Sequence, residues 1–506
     1  MGEREHTAHR RIVERRATGI TGLDEVLQGG LILGGSLLVL GEPGTGKTTL
    51  GNQLAYNFAA AGATTLIVTL LAEAHDRMLL HLGGFSFFAP EQVGQRVRYF
   101  TLVDEFTQHG LSGGLAALRQ LVRDQGASLL IVDGASRFED FATSRPEYRR
   151  LSAELHAQLA VMGCTVVLLA QPSIEGDALH TLGTHVDGIV SLEDRIVGRH
   201  PARMLRVLKL RGSDSLRGDH EFAITDAGIE VYPRLESALV PSRTARRGRQ
   251  KRHPLGISGL DAMLAGGVLT GSTTLIVGPP GIGKTTIGLH FISEGAHRNA
   301  RTLIAGFQEP PERLVAKADG LGLALSGQVE ANRVQMLWEP SPDRPLDAWA
   351  GELLAVVAEH RPECLLIDAL TDVARLGTAL DRLPAFFAAL SHALGTYGVT
   401  TLLTAEVPTV EGTALDVPLP ETTATLDNVI LLRYVEPRSR LHRLVSVLRV
   451  RESGFDAGVR EFIITDRGIE VDASTETAEA ILSNADGPSP TTANTSPGAA
   501  PVVEDG

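Results

Sequence analysis

The sequence predicts an α/β protein in which one domain is used twice in tandem, each copy built on a mostly parallel central sheet. Three observations carry that expectation. Short apolar runs of strand length alternate with amphipathic stretches, the whole pattern occurs twice, and in each copy a glycine-rich loop follows the first strand.

LLVLG, TLIVTLL, LLIVD and TVVLLA in the first copy correspond to TLIVG, TLIAGF, LLIDAL and TTLLTA in the second. Each run is nearly continuous in apolar residues and ends at a turn or a charge, as buried parallel strands do. The first helix is read next: after Lys47, the residues Leu50, Leu54, Phe58 and Ala61 recur at helical spacing. The order strand, loop, helix, strand gives a parallel sheet with helices over it.

The duplication is visible without gaps. Gly19 to Thr49 matches Gly256 to Thr286 at 17 of 31 positions, and EFAITDAGIEV from Glu221 matches EFIITDRGIEV from Glu461 at 9 of 11. Copies this long are whole domains rather than solenoid repeats. The expected organisation is a basic arm at 1–16, a first domain at 17–234, a basic linker at 235–254, a second domain at 255–472 and a disordered tail at 473–506. The linker contains SRTARRGRQKRH, a stretch with no acid in it, and the tail is rich in Ala, Ser, Thr and Pro.

Composition narrows the function. The chain has 506 residues, 43% of them hydrophobic and only 5% aromatic, so its cores are aliphatic. A formal charge of -13 argues against a surface made for nucleic acid or anionic membrane. No stretch is long and apolar enough to span a membrane, and the N-terminal residues carry no apolar signal core. Cys164 and Cys364 fall in or beside apolar runs and read as buried, reduced thiols, which places the protein in the cytoplasm. Only five of the 47 basic residues are lysines: Lys47, Lys209, Lys251, Lys284 and Lys317. Each is therefore informative.

Two lysines sit in phosphate loops. GEPGTGKT (Gly41 to Thr48) and GPPGIGKT (Gly278 to Thr285) both satisfy GxxxxGK[ST]. Such loops turn successive backbone N–H groups onto phosphate oxygens, and the helix that follows aims its positive end at the same anion. The expected nucleotide-binding residues are Gly41, Gly44, Thr45, Gly46, Lys47, Thr48 and Thr49 in the first copy. In the second they are Gly278, Gly281, Ile282, Gly283, Lys284, Thr285 and Thr286. Lys47 and Lys284 would reach the β and γ phosphates of ATP, and the hydroxyls of Thr48 and Thr285 would ligate Mg2+. Asp133 and Asp368 end buried strands at matching places in the two copies, which makes them the second magnesium partners.

With those motifs in place, the chain resembles the KaiC-like branch of the RecA superfamily. TGITGLDEVLQGG, KLRGSDSLRGDHEFAITDAGIEVYP and the stretch from ILLRYVEP to EFIITDRGIEV carry the likeness, which covers about residues 17 to 472. The resemblance implies two tandem RecA-like P-loop NTPase domains, Mg-dependent ATP turnover, and a homo-oligomer, a double-ringed hexamer with ATP between subunits.

It also implies roles for further residues. The family places two adjacent glutamates after the second strand, one of which polarises the attacking water or accepts a proton. In the second copy Gln308 takes the first place and Glu309 the second; in the first copy Leu71 and Ala72 stand there, with Glu73 one residue beyond. A Lys-x-Arg pair that reaches the neighbouring subunit's γ phosphate is kept as Lys209 and Arg211, and becomes Arg449 and Arg451 in the second copy, where Glu452 replaces the following glycine. Clock members phosphorylate an adjacent Ser and Thr in the second domain. Here the positions hold Thr423 and Ala424, so Thr423 is the candidate acceptor and a full two-site cycle is ruled out.

Three functions compete at this point. The first is an ATP-driven oligomeric signalling enzyme, with serine/threonine autokinase activity in the second domain and an unidentified partner protein. The second is a DNA-handling RecA or RadA-type ATPase, for which the arginines from Arg243 to Arg252 would contact phosphate, against the acidic net charge. The third is a nucleotide-gated scaffold with little turnover, which Leu71 and Ala72 favour for the first copy.

Overall fold

The computed structural model describes residues 14–70, 75–172, 182–197, 200–238, 251–340, 344–376, 380–407, 426–437 and 440–485. The first copy has nine strands in one sheet: β1 (Ser36–Gly41), β2 (Thr65–Thr69), β3 (Val97–Thr101), β4 (Leu129–Asp133), β5 (Thr165–Ala170), β6 (Gly188–Val197), β7 (His200–Leu210), β8 (Asp219–Thr225) and β9 (Gly228–Tyr232). The second copy repeats them as β10 (Thr273–Gly278), β11 (Thr302–Gly306), β12 (Val334–Trp338), β13 (Cys364–Asp368), β14 (Thr400–Glu406), β15 (Asn428–Val435), β16 (His442–Val450), β17 (Arg460–Thr465) and β18 (Gly468–Val471). Each sheet lies in its own compact unit.

Strand order is the same in both: β9-β8-β7-β6-β1-β5-β4-β2-β3 and β18-β17-β16-β15-β10-β14-β13-β11-β12. From β6 to β3, and from β15 to β12, neighbours run parallel; the remaining strands form an antiparallel extension. This is the α/β architecture expected, with a mostly parallel centre. The inner parallel strands are buried along nearly their whole length because both faces are covered, while the edge strands β3 and β12 are only partly buried. Along β1, Leu37 and Val39 face the helix that follows the P-loop, while Leu38 and Leu40 pack on the other side with Phe106, Leu118 and Leu155. Alternation appears only in the extension, where β6 buries every second residue from Gly188 to Leu192.

The helix after each loop is α1 (Lys47–Ala60) in the first copy and α2 (Lys284–His297) in the second. Leu50, Leu54 and Phe58 are buried as their spacing requires, each such side chain contributing about 1.5–3 kcal/mol. Ala61 is not on that face: it caps the helix and is exposed, because the following Gly62 takes a left-handed conformation that ends the turn. Both cysteines are buried and free, and burial pushes each thiol up to about 12. No helix among the described residues is long and apolar enough to cross a membrane.

Parts of the expected arm, linker and tail take regular structure. Arg15–Arg16 pairs with Leu31–Ile32, and Arg252–His253 pairs with Val268–Leu269 at the same place in the second copy. Arg15 donates to the carbonyls of Leu27 and Gly30, and Arg252 to those of Leu264 and Gly267, so these two arginines cap a turn instead of extending into solvent. Beyond residue 473, Glu476–Ala485 forms a helix against the second sheet, with Ala478 and Ile481 buried beside Leu444. Thr475 and Glu479 close its first turn, and apolar residues at helical spacing supply a face to bury. Residues 486–506 lie outside the described residues, as do 239–250 of the linker.

Candidate functional site

Each phosphate loop begins where its first strand leaves the sheet. Gly46 and Gly283 stand immediately before the helix with φ of 97° and 118°, a left-handed region that a side chain rarely adopts. A Cβ at either place would also come within 2.8 Å of an isoleucine methyl, Ile224 or Ile464. Neither helix carries an acidic residue in its first turn, so nothing on it competes with an incoming anion.

The lysines fold back over their own loops. Lys47 Nζ donates to the carbonyls of Gly41 (2.7 Å) and Glu42 (2.9 Å), and Lys284 Nζ to those of Gly278 (3.0 Å) and Pro279 (2.9 Å). Burial lowers the pKa of both. Asp133 and Glu42 oppose the shift at Lys47, and Glu406 and Asp368 oppose it at Lys284.

Thr48 Oγ1 donates to Asp133 at 2.8 Å, and Thr285 Oγ1 to Asp368 at 2.7 Å. Residues about 85 apart in sequence are thus brought together because β4 and β13 end beside the start of their P-loop helices. Asp368 also accepts a hydrogen bond from Thr404 at the end of β14. Thr45 and Ile282 occupy matching loop positions and both are buried, Thr45 through a 2.9 Å bond to the Glu42 carbonyl and Ile282 by joining the core.

The second loop opens into a cavity of about 320 Å³ lined by Lys284, Thr285, Gln308, Glu309, Asp368 and Glu406, among others. Gln308 donates its amide to both oxygens of Asp372, at 3.0 and 2.9 Å. Glu309 lies 3.4 Å from the ammonium of Lys317, on helix α3 (Pro311–Gly320), and its second carboxylate oxygen is buried without a hydrogen bond. Sequence reasoning missed Lys317 and Glu406 at this site. Lysine scarcity was a signal for the first, since three of the other four already stand on motif positions.

The Lys-x-Arg residues sit at a matched irregularity. A bulge at Ile189/Val190 and its counterpart at Val429/Ile430 shift the pairing of β6 with β7 and of β15 with β16. The extra residues, Leu208 and Leu448, are exposed beside Lys209 and Arg449. Lys209 donates to the carbonyls of Gly183 (2.9 Å) and Thr184 (3.2 Å), and Arg211 to Thr184 at 3.3 Å. Arg449 donates to the Leu426 carbonyl, and Arg451 lies 4.0 Å from Asp427. Glu452 takes the left-handed conformation (φ 64°) that Gly212 has in the first copy (φ 65°). Leu71, Ala72, Glu73 and Thr423 lie outside the described residues.

A further contact ties each P-loop helix to its last hairpin. Gln53 accepts from the Ile229 N–H at 2.8 Å, and His290 Nε2 accepts from the Ile469 N–H at 3.0 Å. Gly228 and Gly468 pass so close to these side chains that a Cβ would fall within 2.7 and 2.3 Å of them. The sequence repeat contained this contact only as the shared TD-x-GIEV pattern.

Comparison with known proteins follows this geometry. The family model for the KaiC ATPase matches residues 16–236 and again 253–476, which is most of the chain. The chain belongs to the KaiC ATPase family. Among proteins it is similar to, the circadian clock oscillator protein KaiC of Picosynechococcus sp. is 27% identical over 93% of this chain and 92% of its own length. The same-named proteins of Synechococcus elongatus and Rippkaea orientalis are each 26% identical, over 94% and 93% of this chain and 92% and 91% of theirs. Membership thus extends over both KaiC domains.

Proposed function

We propose that both KaiC domains bind ATP with Mg2+, that the second hydrolyses it, and that the chain works as a cytoplasmic homo-oligomer, a double-ringed hexamer, in clock-type signalling. The observation that carries this reading is the pair of hydroxyl–carboxylate contacts, Thr48–Asp133 and Thr285–Asp368, each at the mouth of a glycine loop. The donor set suits magnesium: one hydroxyl and one carboxylate oxygen, with room for phosphate oxygens and waters, and no nitrogen or sulfur ligand. When bound, the ion neutralises charge on the phosphates. Lys47 and Lys284 would leave their loop carbonyls for phosphate oxygens.

Glu309 is the residue that takes the proton from the attacking water in the second domain, and Lys317, 3.4 Å away, fixes where its carboxylate sits. In the first domain Glu73 would have to serve. Lys209, Arg211, Arg449 and Arg451 act toward a neighbouring subunit; each bulge also exposes a leucine directly before its pair, Leu208 or Leu448, which supports a contact there. As an autokinase, the second domain would pass the γ-phosphoryl group to the Thr423 hydroxyl, with its proton going to Glu309. The partner class is another signalling protein.

The test is phosphate release and native mass of the full chain with Mg-ATP, followed by phosphopeptide mapping. Turnover with an assembled oligomer supports the reading, and absence of label at Thr422, Thr423 and Thr425 removes the autokinase part. A second reading, a nucleotide-gated scaffold, is favoured for the first domain by Leu71 and Ala72, which put no carboxylate in the usual pair. DNA binding is the least supported. Strongly salt-dependent retention on DNA, lost when Arg246, Arg247 and Arg249 are neutralised, would revive it.

A further inference from the structure

The second loop faces an anion of its own. Glu406 is the last residue of β14, paired in register with Gly278, the first glycine of the loop. The next residue fixes that end, since the Val407 N–H donates to the Gly278 carbonyl at 3.3 Å. From there Glu406 Oε1 reaches to 3.7 Å from Lys284 Nζ, on a side chain only 6% exposed, and it lines the cavity above the loop. In the first copy β5 ends one residue earlier, at Ala170 opposite Leu40, so the residue in the Glu406 position is Gln171. The acids that act on Lys47 are Asp133 and Glu42, and Glu42 is an exposed residue of the loop itself.

We infer that Glu406 is a specificity-determining residue of the second site, which weakens binding of a nucleoside triphosphate relative to a diphosphate by competing for Lys284. The inference rests on the second loop being a nucleotide site. Backbone N–H groups of a glycine loop hold the inner phosphates, and the lysine ammonium bridges the β and γ phosphates, so the γ phosphate is the one brought against Glu406. A third phosphate must therefore displace the Glu406 carboxylate from Lys284 and then sit beside it, like charge against like, in a pocket already holding Asp368. A diphosphate ends short of that clash. The first site has no such competitor on its strand and prefers the triphosphate more strongly.

The experiment uses the full chain carrying Lys47→Ala, at a concentration where native mass shows it assembled, so that fluorescence of mant-AMPPNP and mant-ADP with Mg2+ reports the second site. Adding Glu406→Gln, which reproduces the side chain of the first copy, should tighten mant-AMPPNP about tenfold and change mant-ADP less than twofold. Glu406→Asp, which keeps the charge, should stay close to the parent. Equal tightening of both nucleotides, no change in either, or an Asp variant that matches the Gln variant overturns the inference while leaving the site a nucleotide site. A parent chain that binds neither nucleotide overturns both. Should Glu406→Gln fail to fold, the reciprocal change decides: Gln171→Glu in a Lys284→Ala chain should weaken mant-AMPPNP at the first site about tenfold and spare mant-ADP, and no selective weakening overturns the proposal.

Discussion

The two P-loops share their glycines, their lysine and their threonine–aspartate contact, yet among the described residues the second shows further charged side chains brought in from neighbouring elements. At the first, Asp133 meets Thr48, and the strand beside it is followed by Gln171. At the second, Asp368 is held by both Thr285 and Thr404, Lys284 pairs with Glu406, Gln308 binds Asp372, and Glu309 pairs with Lys317. On the proposed reading, the difference teaches that binding machinery and turnover machinery come from different places. The loop and its helix supply the first; the ends of neighbouring strands supply the second, and those ends have diverged between copies.

The sharpest way to break that comparison is Glu309→Gln. Turnover of the whole chain should fall about 100-fold while ATP affinity at the second site stays within about twofold, as removal of a proton acceptor requires. A smaller effect is expected from the loops. Lys284→Ala should remove most hydrolysis, at least about tenfold, whereas Lys47→Ala should mainly weaken assembly, read by native mass. If Lys47→Ala alone silences turnover and the oligomer stays intact, the division of labour is wrong. Next comes the proposed metal contact: Asp368→Asn should raise the Mg2+ concentration needed for half-maximal turnover about tenfold, and Asp133→Asn should move it little if the second site carries the turnover.

The smallest expected effect separates the copies by pH. Burial holds the pKa of His290 below its ordinary value of about 6.5, while its Nε2 accepts the Ile469 N–H. A depressed histidine pKa means that the unfolded chain binds the proton more readily. Stability from this contact is therefore present above about pH 6.5 and is lost as pH falls through the depressed value. Gln53 cannot titrate. Hydrogen exchange at Ile469 should accelerate between pH 7 and 5 relative to Ile229, after correction for intrinsic rates, and His290→Gln should abolish the difference, at about 1 kcal/mol.

Much of this molecule was legible because its signals are local. A glycine loop between an apolar run and a helix needs only consecutive residues to be recognised, and Asp133 and Asp368 end runs whose length shows them to be strands. The arm, linker and tail misled in part because composition averages over residues that act singly. Arg15 and Arg252 look like solvated charge until their carbonyl partners 12 to 15 residues away are seen. The helix at 476–485 needed the second sheet to bury Ala478 and Ile481, which no count of Ala, Ser and Thr could show.

By itself, then, the sequence determined the duplication, the α/β class, the two phosphate loops and their aspartates, since each follows from spacing along one segment. Only the tertiary structure decided which side chains meet over those loops. Glu406 and Lys284 are 122 positions apart in the chain and Glu309 and Lys317 lie on separate elements. Their encounters depend on strand order and register, and on the turn each strand makes as it leaves the sheet. Those are properties of the packed sheet, where burial of both faces fixes the neighbours of every strand end.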